Sequence, residues 1–257
     1  MTMTMRGLVL PICACASLAG LCRPAEAALQ TLIGSNFDVL YDDAQLGLFS
    51  APTLAGDSLF FTFNNFVAES LNGIGAVSTH STISGLVFKA KDGYRFGAFN
   101  LAEFGDYTLS GSGSRVQVQG QLRAFNLASA LFTQTTGQLQ LNPLTPLTIN
   151  DGLNHDWSAT ARIDASTAPV PLPFGTVTNV ILSNPDQVGL AIENRLTAFT
   201  DPTAAGFRQA FIEKKFAGVQ MTVAPPSAVP LPAPMALLGA GLGALACIAR
   251  RRAPVRN

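Results

Sequence analysis

Between Ala28 and Ser227 the residues with most chemistry to offer are two histidines, His80 and His155, and four glutamates, Glu69, Glu103, Glu193 and Glu213. His155-Asp156 imitates an oriented base. Neighbours on a strand point to opposite faces, however, so a sequential pair of this kind is not placed to act together. A glycosidase would need two carboxylates facing each other across a cleft, and no spacing here pairs any two of the four. Asp42-Asp43 and Asp57 offer oxygens to Ca²⁺, but the D-x-[DN]-x-[DN]-G loop that would gather them is missing. G-x-S-x-G, H-E-x-x-H, P-loop and dinucleotide fingerprints are also missing. The sequence therefore predicts no catalytic residue, no metal and no cofactor. Sugar stacking is the remaining ligand chemistry. Of 21 aromatic residues, 17 are Phe, three are Tyr and one is Trp157, a mixture that favours cores over platforms with polar handles. Phe60, Phe61 and Phe63 are expected to be packing. Since consecutive strand residues take opposite faces, one of Phe60 and Phe61 is expected on the outside.

The elements that would hold these residues are strands. "SRVQVQGQLRAF" sets Val116, Val118 and Leu122 against Arg115, Gln117 and Gln119, with Gly120 as an expected bulge. "WSATARIDAS" sets Trp157, Ala159, Ala161 and Ile163 against Ser158, Thr160, Arg162 and Asp164. A period of two buries one set and solvates the other. Further strands are predicted at 37–41, 58–63, 81–89, 95–99, 106–109, 137–141, 177–182, 188–199 and 211–223. "NPLTPLTINDGLN" is the longest loop, "GFRQAFIEKKF" permits a short helical turn, and Val170 to Pro173 reads as a rigid loop. Many strands with Gly, Asn and Asp between them, and no alternating helices, predict an all-β, antiparallel β-sandwich or jelly-roll-like single domain.

The two ends differ from this body. Arg6, an uncharged stretch from Gly7 to Leu21 and Ala25-x-Ala27 form a secretory signal peptide, cut between Ala27 and Ala28. All four cysteines lie in the terminal segments, at Cys13, Cys15, Cys22 and Cys247, so the body has no thiol for a disulfide. Between Ala28 and Ser227 stand ten basic and fifteen acidic residues, a charge near −5. That is no footprint for nucleic acid.

After Val223 the chain becomes "APPSAVPLPAP", a proline-rich extended linker. Met235 to Ala249 follow without a charge and close on Arg250, Arg251 and Arg252. As a helix these fifteen residues span about 22 Å, short of a hydrocarbon core of about 30 Å, with the arginines snorkelling to make up the length. Basic residues stay cytoplasmic, so the body is expected outside the cytoplasmic membrane. The expected divisions are 1–27 signal peptide, 28–223 β-sandwich ectodomain, 224–234 linker and sorting motif, 235–249 transmembrane helix and 250–257 basic tail.

Val229, Pro230, Leu231, Pro232 and Ala233, followed by that apolar run and Arg250 to Arg252, resemble the PEP-CTERM sorting signal in its VPLPA variant. Leu231 stands where the commonest form has Glu. The body, with "GDSLFFTFNNF", "GDYTLSGSGSRVQVQG" and "IEKKFAG", is similar to the β-rich ectodomains such proteins carry. The resemblance implies export in a Gram-negative bacterium, retention by the tail, removal of the helix by a membrane-embedded exosortase, and a place at the cell surface or in an exopolysaccharide or biofilm matrix. The expected partners are thus an exosortase, the cytoplasmic membrane and exopolysaccharide, and the expected role is not enzymatic. The alternative reading is an extracellular carbohydrate-binding module that tethers the cell to polysaccharide.

Overall fold

Residues 29–127, 134–165 and 186–225 are described by the computed structural model of this chain. Among the described residues there are thirteen strands, most with alternating apolar residues: β1 Leu29–Ile33, β2 Phe37–Asp42, β3 Thr53–Ala55, β4 Ser58–Thr62, β5 Val67–Leu71, β6 Gly75–Ala90, β7 Arg95–Ser110, β8 Ser114–Asn126, β9 Gln134–Gln138, β10 Gln140–Leu141, β11 Asn154–Asp164, β12 Gln187–Thr200 and β13 Gln209–Ala224. All pairings are antiparallel. A six-stranded sheet runs β1-β2-β6-β12-β8-β9, and a seven-stranded sheet runs β10-β11-β7-β13-β4-β3, with β5 also on β13. Their inner faces share one core, in which Phe88 of the first sheet meets Phe99 of the second with ring centroids 5.8 Å apart. The all-β, two-sheet antiparallel expectation therefore holds.

Several strands are longer than the sequence pattern suggests. The stretches 95–99 and 106–109, expected as two strands, belong to one sixteen-residue strand, β7. Bulges let strands of this length keep an apolar inner face. On β13, Lys214 faces Gly105 while Phe216 faces Phe104, so Lys215 is the extra residue. Before it Ala210 and Ile212 point inward, and after it Ala217, Val219 and Met221 do. One inserted residue has switched the inward set from even to odd numbers. β7 carries an extra Gly97 against Thr222 and Val223, and β6 has one more residue than β12 between Ile83 and Leu86, where Gly85 adopts φ +73°.

Three expectations need correction. Gly120 is not a bulge, because its register with Asn194 is unbroken. Its hydrogen instead makes room, since a Cβ there would lie 2.7 Å from Asn194 Oδ1. The stretch that permitted a helical turn lies largely in β13, where pairing with β5 and β7 on both sides overrides local propensity. β1, β3 and β5 add strands that the alternation did not single out. The expected strand 177–182, the loop at Val170 to Pro173, the signal peptide, the sorting motif, the transmembrane helix and the basic tail lie outside the described residues. Among the described residues no helix is long and apolar enough to cross a membrane.

The core has two apolar parts. The larger surrounds Phe37, Phe88, Phe96 and Phe99, and the smaller surrounds Tyr107 and Trp157. Each fully buried Phe contributes about 1.5–3 kcal/mol. Polar side chains mark the seam between the parts. Glu103 lies between Leu101 and Tyr107 on β7, Lys214 between Ile212 and Ala217 on β13, and Asn194 between Ile192 and Leu196 on β12; all three are buried.

Candidate ligand-binding face

The bulge at Lys215 also shapes an outer surface. It turns Phe216 outward, where its ring lies 5.5 Å from that of Phe60 and 6.2 Å from that of Phe104. The three rings come from three neighbouring strands, β4, β13 and β7, because Phe216 is in register with Phe104 and Gly218 with Phe60. Phe104 is 46% exposed. The rings border a groove of about 810 Å³ whose floor includes Ala102 and Gly218 and whose rim includes Asn100, Gln140 and Arg162. Gly218 leaves room for the rings: a Cβ there would lie 3.2 Å from Phe60, a tight contact, and 3.5 Å from Phe216. An open aromatic shelf beside amide and guanidinium groups can stack a flat apolar face and hydrogen-bond its polar edge.

Phe61 is buried and Phe60 faces out, as the alternation of neighbours requires. Phe63 packs at the seam, with its ring 5.6 Å from that of Phe66. The shelf itself was not evident in the sequence. Phe104 and Phe216 carry no signal of exposure, since reading Phe216 as outward requires knowing that Lys215 is bulged.

Beneath the shelf lies the most unusual electrostatic feature. Lys214 Nζ donates to Glu103 Oε2, and both side chains are fully buried. Rings of Phe63, Phe66 and Trp157 surround the ammonium at 5.4, 5.5 and 6.0 Å. Burial pulls the Lys214 pKa down from 10.5 to about 8, with the Glu103 charge working against that shift. Glu103 Oε1 has no partner among the described residues. Next to the pair, Trp157 Nε1 donates to Glu213 O at 3.1 Å across Gly105, where a Cβ would lie 1.9 Å from that oxygen. Lys215, the bulged residue, points out and binds Asp106 Oδ2 at 2.5 Å, which raises its pKa.

The other singled-out residues are dispersed. His155 does not meet Asp156; its Nε2 lies 2.9 Å from Asp151 Oδ1 in the loop before β11, and that contact lowers the Asp151 pKa. Tyr107 fastens the same loop, donating to Pro146 O at 2.6 Å and accepting from Ile149 N at 3.2 Å. Of the four glutamates, Glu103 faces the core, Glu193 the outside of the six-stranded sheet, and Glu69 and Glu213 the outside of the seven-stranded sheet. Asp42 caps a short 3-10 turn, accepting from Ala44 N at 2.9 Å, while Asp43 accepts from Gln30 and Asp57 from Asn36. Among the described residues no three His, Cys, Asp or Glu side chains gather as a metal site. The residues expected to direct sorting, Val229 to Ala233 and Arg250 to Arg252, and those expected at the signal cut, Ala25, Ala27 and Ala28, lie outside the described residues. No protein-family model and no curated protein sequence matches this chain.

Proposed function

We propose that this chain is an exported, non-enzymatic surface or matrix protein, retained by its C-terminal tail and then released by an exosortase-type enzyme. The observation that carries this reading is the order of the last part of the sequence: Val229-Pro230-Leu231-Pro232-Ala233, fifteen uncharged residues, then Arg250-Arg251-Arg252. An antiparallel sandwich without cysteine suits it, because such a body is stabilised by burial alone and needs no oxidising partner outside the cell. Intact-mass analysis of protein from the native host is expected to show loss of the apolar tail. Full-length mature protein in every fraction would overturn processing. Replacing Pro230 and Pro232 by Ala is expected to leave an unprocessed, membrane-retained form.

A second reading, a carbohydrate-binding module, is favoured by the row of Phe60, Phe216 and Phe104 on an open face with polar groups at its rim. It extends the first reading by giving the body a polysaccharide to hold. Titration of the full-length chain in mild detergent with a panel of oligosaccharides is expected to detect binding. Silence across the panel at millimolar sugar would remove this reading and leave the sorting reading intact.

A further inference from the structure

The outer face of the six-stranded sheet differs from the aromatic shelf in both shape and charge. Alternate residues of β6, β12 and β8 stand there in rows across the strands: Ser78, Thr197 and Gln117; then His80, Arg195 and Gln119; then Thr82, Glu193 and Gln121, which Gln138 of β9 extends. The second and third rows, with Ser78, line a groove of about 510 Å³. At about 4.8 Å between strands, its four strands give a width of roughly 14 Å.

The polar groups are already set in place. Gln138 Nε2 donates to Gln121 Oε1 at 3.1 Å, and Gln121 Nε2 and Arg123 Nη2 both donate to the Glu193 carboxylate. Glu193 is thereby neutralised by Arg123. Arg195 donates to Ser78 Oγ at 3.3 Å and has no carboxylate within ion-pair distance among the described residues. Arg123 Nε is buried beside the groove with no acceptor among those residues. At one end Arg115 lies over the Phe199 ring, 3.6 Å from its centroid. The central strands of this face thus carry Lys89, Arg115, Arg123 and Arg195 against the single carboxylate of Glu193, with Asp38 and Asp42 to the side on β2. The opposite outer face is acidic, with Glu69, Asp106, Asp156, Asp164 and Glu213 against Lys215 and Arg162.

We infer that this groove binds an acidic oligosaccharide, a chain of sugars bearing carboxylates, with Arg195 pairing a sugar carboxylate and Gln119, Gln121 and Thr82 meeting its hydroxyls. The inference rests on the carbohydrate-binding reading and names the sugar class and a second face for it. Four observations select the ligand. Amides both donate and accept, as a polyhydroxylated chain requires. A free guanidinium in such a setting recognises a planar carboxylate. The groove has no apolar pocket to anchor a peptide side chain, and three arginines on an acidic body are too few for a nucleic-acid backbone.

The test is calorimetric titration of the full-length chain with an oligogalacturonate, a neutral gluco-oligosaccharide of equal length and a single-stranded oligonucleotide of equal charge. The oligogalacturonate is expected to bind, more weakly as salt rises. Arg195→Gln, at an exposed position, is expected to weaken it about tenfold or more. Arg95→Gln removes an equal charge from the start of β7 in the other sheet, where Arg95 pairs with Asp186 at 3.4 Å, and is expected to change nothing. Equal loss in both variants, or equal binding of the oligonucleotide, would overturn the inference as mere charge attraction. Binding of the neutral sugar alone, indifferent to Arg195→Gln, would overturn it and leave the carbohydrate reading standing. No binding of either sugar would overturn both.

Discussion

Lys214 and Glu103 are two charges in a region otherwise filled by Phe63, Phe66, Trp157 and Leu101, and their energetics follow from that setting. Removing one partner leaves a buried charge without compensation. Glu103→Leu or Lys214→Met alone is therefore expected to cost about 3–5 kcal/mol, whereas the double replacement is expected to be near neutral or stabilising. Urea unfolding of the three variants checks this, and equal losses in single and double variants would contradict it. The pH dependence has a definite sign. The folded pKa of Lys214, about 8, lies below its unfolded value of 10.5, so between these limits the unfolded chain holds the proton more tightly. The cost of burying the ammonium is complete below about pH 8 and is relieved as pH rises toward 10.5. The stability of the native chain minus that of the double variant is thus expected to grow from pH 8 to 10; a flat difference would show that Lys214 does not titrate there.

The bulge at Lys215 is the element on which the sandwich turns. It keeps Lys214 and Ala217 both inward, places Phe216 on the shelf and passes the backbone of Glu213 close to Gly105. Gly105→Ala is expected to destabilise the protein by about 3 kcal/mol or more, since either Trp157 or β13 must move to admit a methyl 1.9 Å from Glu213 O. Thermal unfolding measures it, and an unchanged midpoint would show that the strands separate freely at that point. This element also marks where the sequence stopped being legible. Period-two alternation identified β8 and β11, the inward placement of Trp157 and the fact that Phe60 and Phe61 take opposite faces, though not which of the two faces out, because each of those residues sits in an unbroken register. It could not carry the pattern through Gly97, Gly85 or Lys215, where one extra residue exchanges the two faces and local sequence gives no warning. The aromatic shelf was hidden for the same reason. The groove on the other sheet was hidden for a different one: Gln119, Arg195 and His80 are far apart along the chain, and only strand pairing brings them into one row.

For the whole molecule, the opposed charges of the two outer faces matter more than the modest total. An acidic body with one cationic groove orients itself toward an anionic chain over about a Debye length, roughly 8 Å at physiological salt. Stability, in contrast, owes nothing to disulfides between Ala28 and Ser227, where no cysteine stands. The thermal midpoint is expected to be the same with and without reductant, and a drop on reduction would reveal a contribution from the terminal cysteines.

The positions of β12 and β13 have a consequence in time. They are the last two strands among the described residues, yet each lies in the interior of its sheet, β12 between β6 and β8, and β13 between β7 and the strands β4 and β5. Ser70 near the start of the body closes on Thr200 near its end, with 2.8 Å between their hydroxyls. Neither sheet can therefore be completed until nearly the whole body has emerged from the ribosome or from a membrane channel. Contacts this distant along the chain also make folding slow. A polypeptide made in this order remains threadable during synthesis and acquires its structure only after its centre strands have arrived.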